Sequence, residues 1–268
     1  MEAKYIIADS GGSSTSWAIV LQSGEVVQLQ TDSLHPKYAL SADFPVSDLK
    51  AQFKDLHVPL YFYGAGCSGE ALQQKMRTFL LQLGFLRVEV YPDTLAACRA
   101  LYGNNPGWIA ILGTGSILVQ YDGARIIRRI GGYGSLIGDE GSGFYFGKLL
   151  VQQLLAAKEW KTGWADLFQS KEFILSKLAA PDALQWISGL GKAAAEADFD
   201  FLHRRNAELF VDTYCMDLNL TEISLVGTYG YAQRAVFSEV FESHSIRVKR
   251  TVPSPIRDLT NYHQMNES

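Results

Sequence analysis

Residues 5–29 read YIIADSGGSSTSWAIVLQSGEVVQL, and residues 108–130 read WIAILGTGSILVQYDGARIIRRI. In the first stretch a short apolar run, Tyr5–Ala8, ends in Asp9 and a turn from Ser10 to Thr15. Trp17–Leu21 comes next, Ser23-Gly24 turns, and Val26–Leu29 completes an expected antiparallel meander. The second stretch repeats the order: Trp108–Leu112, the turn Gly113-Thr114-Gly115-Ser116, Ile117–Tyr121, Asp122-Gly123, then Arg125–Ile130. The elements after each meander are also alike. After the first, Leu34–Pro45 reads as loop and Ser47–His57 as a helix with Leu49, Phe53 and Leu56 on one stripe. Strand Leu60–Tyr63, helix Glu70–Leu83, strand Val88–Tyr91 and helix Leu95–Leu101 come next. After the second come a central helix from about Ser142 to Lys158 and a helical region to about Leu218. Strand Ile223–Val226, helix Ala232–Ser243, strand Ile246–Val252 and a short helix from Pro255 to about His263 finish the chain. Each half is βββ, helix, strand, helix, strand, helix, a duplication of topology. Two such α/β domains would aim their first glycine turns, near Asp9 and Gly113, at one shared cleft able to grip a nucleoside triphosphate and close over it.

The chemistry concentrates at the turns. Ser10–Thr15 sets several backbone N–H groups and hydroxyls beside the carboxylate of Asp9, a cradle for phosphate with an acid to hold Mg²⁺. A plain hairpin needs only two turn residues. Strand Val88–Tyr91 delivers Asp93 to a helix start, where it is either an N-cap or a ligand contact at a strand end. His35, ahead of Pro36, is either a solvated loop histidine or a pocket residue.

Between Gly131 and Gly147 the chain reads GGYGSLIGDEGSGFYFG, seven glycines in seventeen residues around the adjacent Asp139 and Glu140. A carboxylate pair does not attract phosphate, so a metal ion or hydroxyl groups are its expected partners. Helical spacing begins at about Ser142, and free N–H groups at that helix start would favour an anion.

Composition narrows the class. The 268 residues allow two domains, and 47% apolar with 19% charged residues describes an ordinary globular protein. A formal charge of −4 gives no reason to expect nucleic acid or an anionic membrane as partner. The N-terminal sequence shows no signal-like apolar region, no apolar run approaches a membrane span, and three scattered cysteines (Cys67, Cys98, Cys215) form no disulfide framework. A cytoplasmic protein with reduced thiols is expected.

Three glycine motifs in order carry a resemblance. Ala8-Asp9-Ser10-Gly11-Gly12-Ser13-Ser14-Thr15, Leu112-Gly113-Thr114-Gly115-Ser116 and Gly131 through Ser142 resemble the motifs of the N-acetylglucosamine kinase / BadF-type ATPase family, in the actin–hexokinase–chaperone superfamily. Val226-Gly227-Thr228 stands where that family's adenosine loop begins. The likeness covers nearly the whole chain. It implies two ribonuclease H-like (actin-like ATPase) domains, residues 1–106 and 107–253, with helix 254–268 packing back on the first.

It also implies an ATP-dependent amino-sugar kinase using Mg²⁺. Asp93 would be general base and sugar contact, and Asp9 would hold the metal. Gly11, Gly12, Ser13, Ser14, Thr15, Gly113, Thr114, Gly115 and Ser116 would bind the ATP phosphates. Gly227, Thr228 and Tyr229 would meet adenosine. His35, Ser68, Gly69, Gly131, Gly132, Asp139 and Glu140 would meet the sugar. The partner implied is a small sugar, with a homodimer left open. Departures from the family pattern are Ser13 and Ser14 in the first motif, His35 where Asn is usual, Tyr229-Gly230-Tyr231 after the adenosine glycine, and a segment Trp160–Asp212 shorter and less apolar than the family's. A sensor that keeps the clamp but lacks turnover, and a kinase for another small acceptor, are the alternatives.

Overall fold

The computed structural model describes residues 2–161, 163–193 and 199–266, without the side chains of 191–193. It divides into two compact units: residues 1–106, 122–126 and 254–268, and residues 107–121 and 127–253.

In the first unit strands β1 (Ala3–Ser10), β2 (Ser14–Leu21) and β3 (Val26–Asp32) form the expected meander, and β4 (Pro59–Gly64) and β5 (Arg87–Pro92) add to it in parallel. The sheet order is β3-β2-β1-β4-β5. Period-two alternation sends Ile6, Ala8, Leu60 and Phe62 to one face and Tyr5, Ile7, Tyr61 and Tyr63 to the other. The first face packs on Met76, Leu80 and Leu83 of α3 (Glu70–Leu83), whose bounds match the sequence reading. The second packs on Ala96 and Ala100 of α4 (Asp93–Tyr102) and on Ile256 and Leu259 of α12 (Ile256–Asn266).

That second face holds a half-buried cation. Arg99 Nη1 donates to the Tyr63 hydroxyl (2.6 Å), and the guanidinium lies over the rings of Tyr91 and Tyr262 at 4.4 and 5.4 Å. His263 of α12 reaches the same Tyr63 hydroxyl through Nε2 (2.9 Å). Burial and the Arg99 charge push the His263 imidazole down to about 4, so it is neutral in the fold.

Two expectations need correction. The loop Leu34–Pro45 contains a single turn, α1 (Pro36–Ala39), because Pro36 suits a first helical position and His35 Nδ1 accepts from Lys37 N (3.2 Å). Helix Ser47–His57 shrinks to α2 (Val46–Lys50). Asp55 Oδ1 takes the His57 N–H (2.7 Å), a local turn that competes with helix, while Phe53 packs edge-on against Trp17.

The second unit repeats the sheet: β6 (Gly107–Leu112), β7 (Ser116–Tyr121), β8 (Ile126–Gly131), β9 (Glu222–Val226) and β10 (Arg247–Val252), in order β10-β9-β6-β7-β8. Helices α5 (Gly143–Ala156), α6 (Trp164–Phe168), α7 (Lys171–Leu178), α8 (Ala183–Ala193), α9 (Asp200–Tyr214), α10 (Thr228–Ala232) and α11 (Arg234–Ser243) complete it. One core joins β6, β9, α9 and α11 through Leu112, Leu225, Phe210, Phe237 and Phe241. Another gathers Phe146 and Leu150 of α5 with Trp164, Phe168, Ile174 and Phe199 of the segment Trp160–Asp212. Among the described residues no helix is long and apolar enough to cross a membrane.

Candidate active site

In the first unit the parallel register sets Asp9 of β1 beside Tyr63 of β4, and Tyr63 beside Tyr91 of β5. The strand ends therefore bring Asp9 and Asp93 toward each other. Burial, and secondarily the charge of Asp93, raise the Asp9 carboxyl to about 7. The Cys67 thiol is pushed up to about 12 by burial and by the same Asp93. Asp93 is the first residue of α4, not its N-cap; Pro92 holds that place, and Asp93 Oδ1 accepts from Thr94 N (2.8 Å). The carboxylate thus sits in the first turn, where the helix dipole favours its charge.

The β1–β2 turn is held from behind. Ser33 Oγ donates to Gly11 O (2.7 Å), Leu34 N donates to Ser10 Oγ (3.0 Å), and Gly11 N donates to Ser14 O (2.9 Å). Thr15, expected at phosphate, is fully buried, with its hydroxyl 2.9 Å from Ser10 Oγ and 3.1 Å from Asp32 O. Its side chain anchors the turn instead. Gly12 and Ser13 remain exposed at the tip, and Ser14 Oγ accepts from Gln30 Nε2 (2.9 Å). Ser68 and Gly69 are exposed ahead of α3, and His35 turns its Nε2 toward Gly66, where a Cβ would meet it at 2.7 Å. His35 is thus neither a solvated loop residue nor an open pocket group, but a helix cap packed on a glycine.

In the second unit the expectation of a free anion site at the start of α5 is overturned. Gly143 N donates to Gly113 O (2.9 Å), Phe144 N to Thr114 O (3.3 Å), and Tyr145 N to Ser142 Oγ (3.1 Å). The helix end is spent gripping the carbonyls of the β6–β7 turn. Asp139, at φ 69°, buries its carboxylate under that same turn, where Oδ1 accepts from Ser116 N (3.2 Å). Burial, offset in part by that hydrogen bond, raises its carboxyl. A Cβ on Gly115 would lie 3.2 Å from Asp139 Oδ2, whereas a Cβ on Gly113 would meet nothing within 4 Å. Asp139, assigned to the sugar by resemblance, thus braces the β6–β7 turn.

Glu140 takes the Ser116 hydroxyl on its backbone carbonyl (2.6 Å) and the Tyr214 hydroxyl on Oε2. Gly131 and Gly132 end β8 with φ of 79° and 69°, and side chains there would press on Tyr214 and Ile117.

Gly227 permits a close approach, since a Cβ would fall 2.5 Å from Leu112 O. Thr228 is exposed, but Tyr229 turns inward. Its hydroxyl accepts from Asn206 Nδ2 (3.0 Å) and pairs with His203 Nδ1 (3.0 Å), and its ring packs near Phe146 and Phe237. The adenosine contact expected of Tyr229 therefore gives way to a core role. Sequence reading missed Asn206, Phe210, Tyr214 and His203 of α9. The spacing of Asn206, Phe210 and Tyr214 was a signal, because a buried Asn within an apolar stripe needs a partner.

The doubled sheet with order 3-2-1-4-5, carrying glycine turns at the ends of β1 and β6, decides the class. The chain has the two-domain actin-like ATPase fold. Among solved structures, the chain is similar to a candidate N-acetylglucosamine kinase from Porphyromonas gingivalis, 25% identical with TM-score 0.84, over 98% of this chain and 100% of that one. A second candidate N-acetylglucosamine kinase, from Chromobacterium violaceum, matches at 22% identity and TM-score 0.69 over 97% and 99%. A ROK family glucokinase from Streptomyces griseus, in complex with glucose and AMPPNP, shares the fold at 14% identity and TM-score 0.58 over 98% and 99%. No protein-family model and no curated protein matches the sequence.

Proposed function

We propose that the protein is an ATP-dependent sugar kinase that phosphorylates a hydroxyl of N-acetylglucosamine or a related amino sugar. The observation that carries this reading is the approach of Asp93, at the start of α4, to Asp9, near the end of β1, where burial chiefly and the Asp93 charge secondarily raise the Asp9 carboxyl to about 7. Such a pair suits phosphoryl transfer. Asp9 is the group for Mg²⁺, which would supply neutralisation of phosphate charge. A carboxylate disfavoured by desolvation and by a second carboxylate gains from a cation beside it, and Mg²⁺ needs only one or two carboxylates when phosphates complete its shell. Asp93 accepts the proton of the attacking hydroxyl, and general-base help of this kind contributes ~10²–10⁴-fold.

The turn tips Gly11–Ser14 and Gly113–Ser116 are the phosphate contacts, and Gly227 and Thr228 the adenosine contacts. Ser68, Gly69, Gly131, Gly132 and Glu140 border the acceptor. Likeness to the candidate N-acetylglucosamine kinases supports the acceptor class. A second reading, a binding protein of the same fold without turnover, is favoured by the absence of any Lys or Arg between Gly11 and Thr15.

An ADP-release assay with Mg-ATP against N-acetylglucosamine, N-acetylmannosamine and glucose separates the two. Acceptor-dependent ADP with an amino sugar is expected. No ADP above the acceptor-free background on any of the three, with both ligands bound, would leave the binding protein.

A further inference from the structure

Asn206, Phe210 and Tyr214 stand four residues apart along α9 and so share one face. Each meets a different point of the glycine-rich segment Gly131–Ser142. Asn206, fully buried, accepts from Gly141 N through Oδ1 (2.8 Å) and donates to Ser142 O through Nδ2 (2.9 Å). Phe210 fills the space of a side chain at Gly141, where a Cβ would come within 2.7 Å of it. Tyr214 does the same for two glycines. A Cβ on Gly131 would lie 3.0 Å from its ring, and one on Gly138 would lie 3.4 Å from its hydroxyl. That hydroxyl donates to Glu140 Oε2. The segment is moulded on this helix face, and Tyr214 is the one member whose polar atom ends on a site carboxylate.

We propose that Tyr214 is a positioning residue for acceptor recognition: by holding Oε2 of Glu140, it aims the other carboxylate oxygen at a sugar hydroxyl. This rests on the sugar-kinase reading. A carboxylate with one oxygen tied to a phenol keeps a fixed orientation, while an untied one rotates and must be ordered again with each acceptor bound. The phenol ring does the packing, and only the hydroxyl does the aiming.

Tyr214→Phe keeps the ring and removes the hydroxyl, so it tests the aim alone. With N-acetylglucosamine and Mg-ATP, the KM for the sugar should rise about tenfold or more, with kcat within about threefold and the KM for ATP unchanged. Glu140→Ala should raise the same KM, and the double variant should be no worse than the poorer single one, as for residues acting as a unit. A Tyr214→Phe enzyme with wild-type KM for the sugar, or effects that multiply in the double variant, overturns the proposal. Hydrogen exchange supplies an arm independent of turnover. In Tyr214→Phe the amides of 132–141 should exchange faster while those of β6 and β9 do not. If the wild type phosphorylates no sugar, the kinase reading falls. Unchanged exchange in 132–141 would then also end the positioning role, and faster exchange there would uphold Tyr214 as the residue that fixes Glu140.

Discussion

The carboxylate of Asp139 accepts the backbone N–H of Ser116, 23 residues earlier in the chain, at 3.2 Å. The bond ties the loop before α5 to the turn between β6 and β7, and Asp139 makes it from φ 69°, a conformation Asn also tolerates. Asp139→Asn keeps an acceptor oxygen and should stay within about 0.5 kcal/mol of wild type. Asp139→Ala leaves a buried N–H without its partner and should lose about 1–3 kcal/mol. Urea unfolding of both variants checks the contrast, and equal losses would remove the bracing role.

Gly113 and Gly115 flank Thr114 but answer to different constraints. A Cβ at Gly115 would crowd the Asp139 carboxylate that accepts from Ser116 N, so Gly115→Val should destabilise the fold by displacing that brace, whether or not nucleotide binds. Gly113 has open space around its Cβ position, so Gly113→Val should melt close to wild type. Mg-ATP at a hundredfold excess over Kd should stabilise the wild type by about 2.7 kcal/mol, and Gly113→Val should lose that shift. A Gly113→Val protein that still responds to ATP would place the phosphates elsewhere.

Asp93→Asn separates chemistry from structure at the first-unit carboxylates. Because Asp93 is a first-turn residue and not a cap, the loss is limited to its dipole interaction, about 0.3–1 kcal/mol. Turnover should fall at least about a hundredfold with nucleotide affinity little changed. Unchanged kcat would leave Asp93 as a helix-end charge.

Stability between pH 4.5 and 6 should report three buried groups with opposed signs. His203 and His263 are both held down to about 4, chiefly by burial. Their contribution is present above the unfolded value of about 6.5 and is lost as pH falls through about 4. Asp9 is raised to about 7, so its contribution is present below the unfolded value of about 3.9 and is lost as pH rises through about 7.

In that window unfolding takes up one proton at each histidine and releases one at Asp9, a net uptake of one. Without nucleotide and Mg²⁺, these groups should cost about 1.4 kcal/mol per unit of acidification. Asp9→Asn removes the opposing group, and the slope from the two histidines should double to about 2.7 kcal/mol per unit. Urea titrations at three pH values measure it, and identical slopes in the two proteins would contradict the buried, raised Asp9.

Much of the fold was legible because strand alternation and the repeated Gly-turn order are local signals. Glu70–Leu83 was readable to the residue, since an apolar stripe runs its length and Gly84 ends it with φ 116°. The misread segment, Ser47–His57, also had a stripe. There a carboxylate two residues from an amide, and aromatic partners far away in sequence, outweighed the periodicity.

At the site, glycines and acids were visible as residue types, but their targets were not. Asp139 and Tyr229 read as ligand contacts because they stand in motifs that resemble the family's. Their partners, Ser116, Asn206 and His203, lie 23 to 26 residues away, beyond any spacing rule. The amides at the start of α5 were unreadable for the same reason, since the carbonyls that occupy them belong to another turn.

Helix α12 comes after the whole second unit in sequence, yet it covers one face of the first unit's sheet and shares the Tyr63 hydroxyl with Arg99. Until α12 is made, Tyr5, Ile7 and Tyr61 therefore have only the part of their cover that α4 supplies. The second unit, contiguous apart from one hairpin tip, has every strand it needs before α12 is made. The later-made unit is in a position to finish first. The earlier-made one waits, with part of an apolar sheet face open to chaperones or to misassembly, until residues 256–263 arrive.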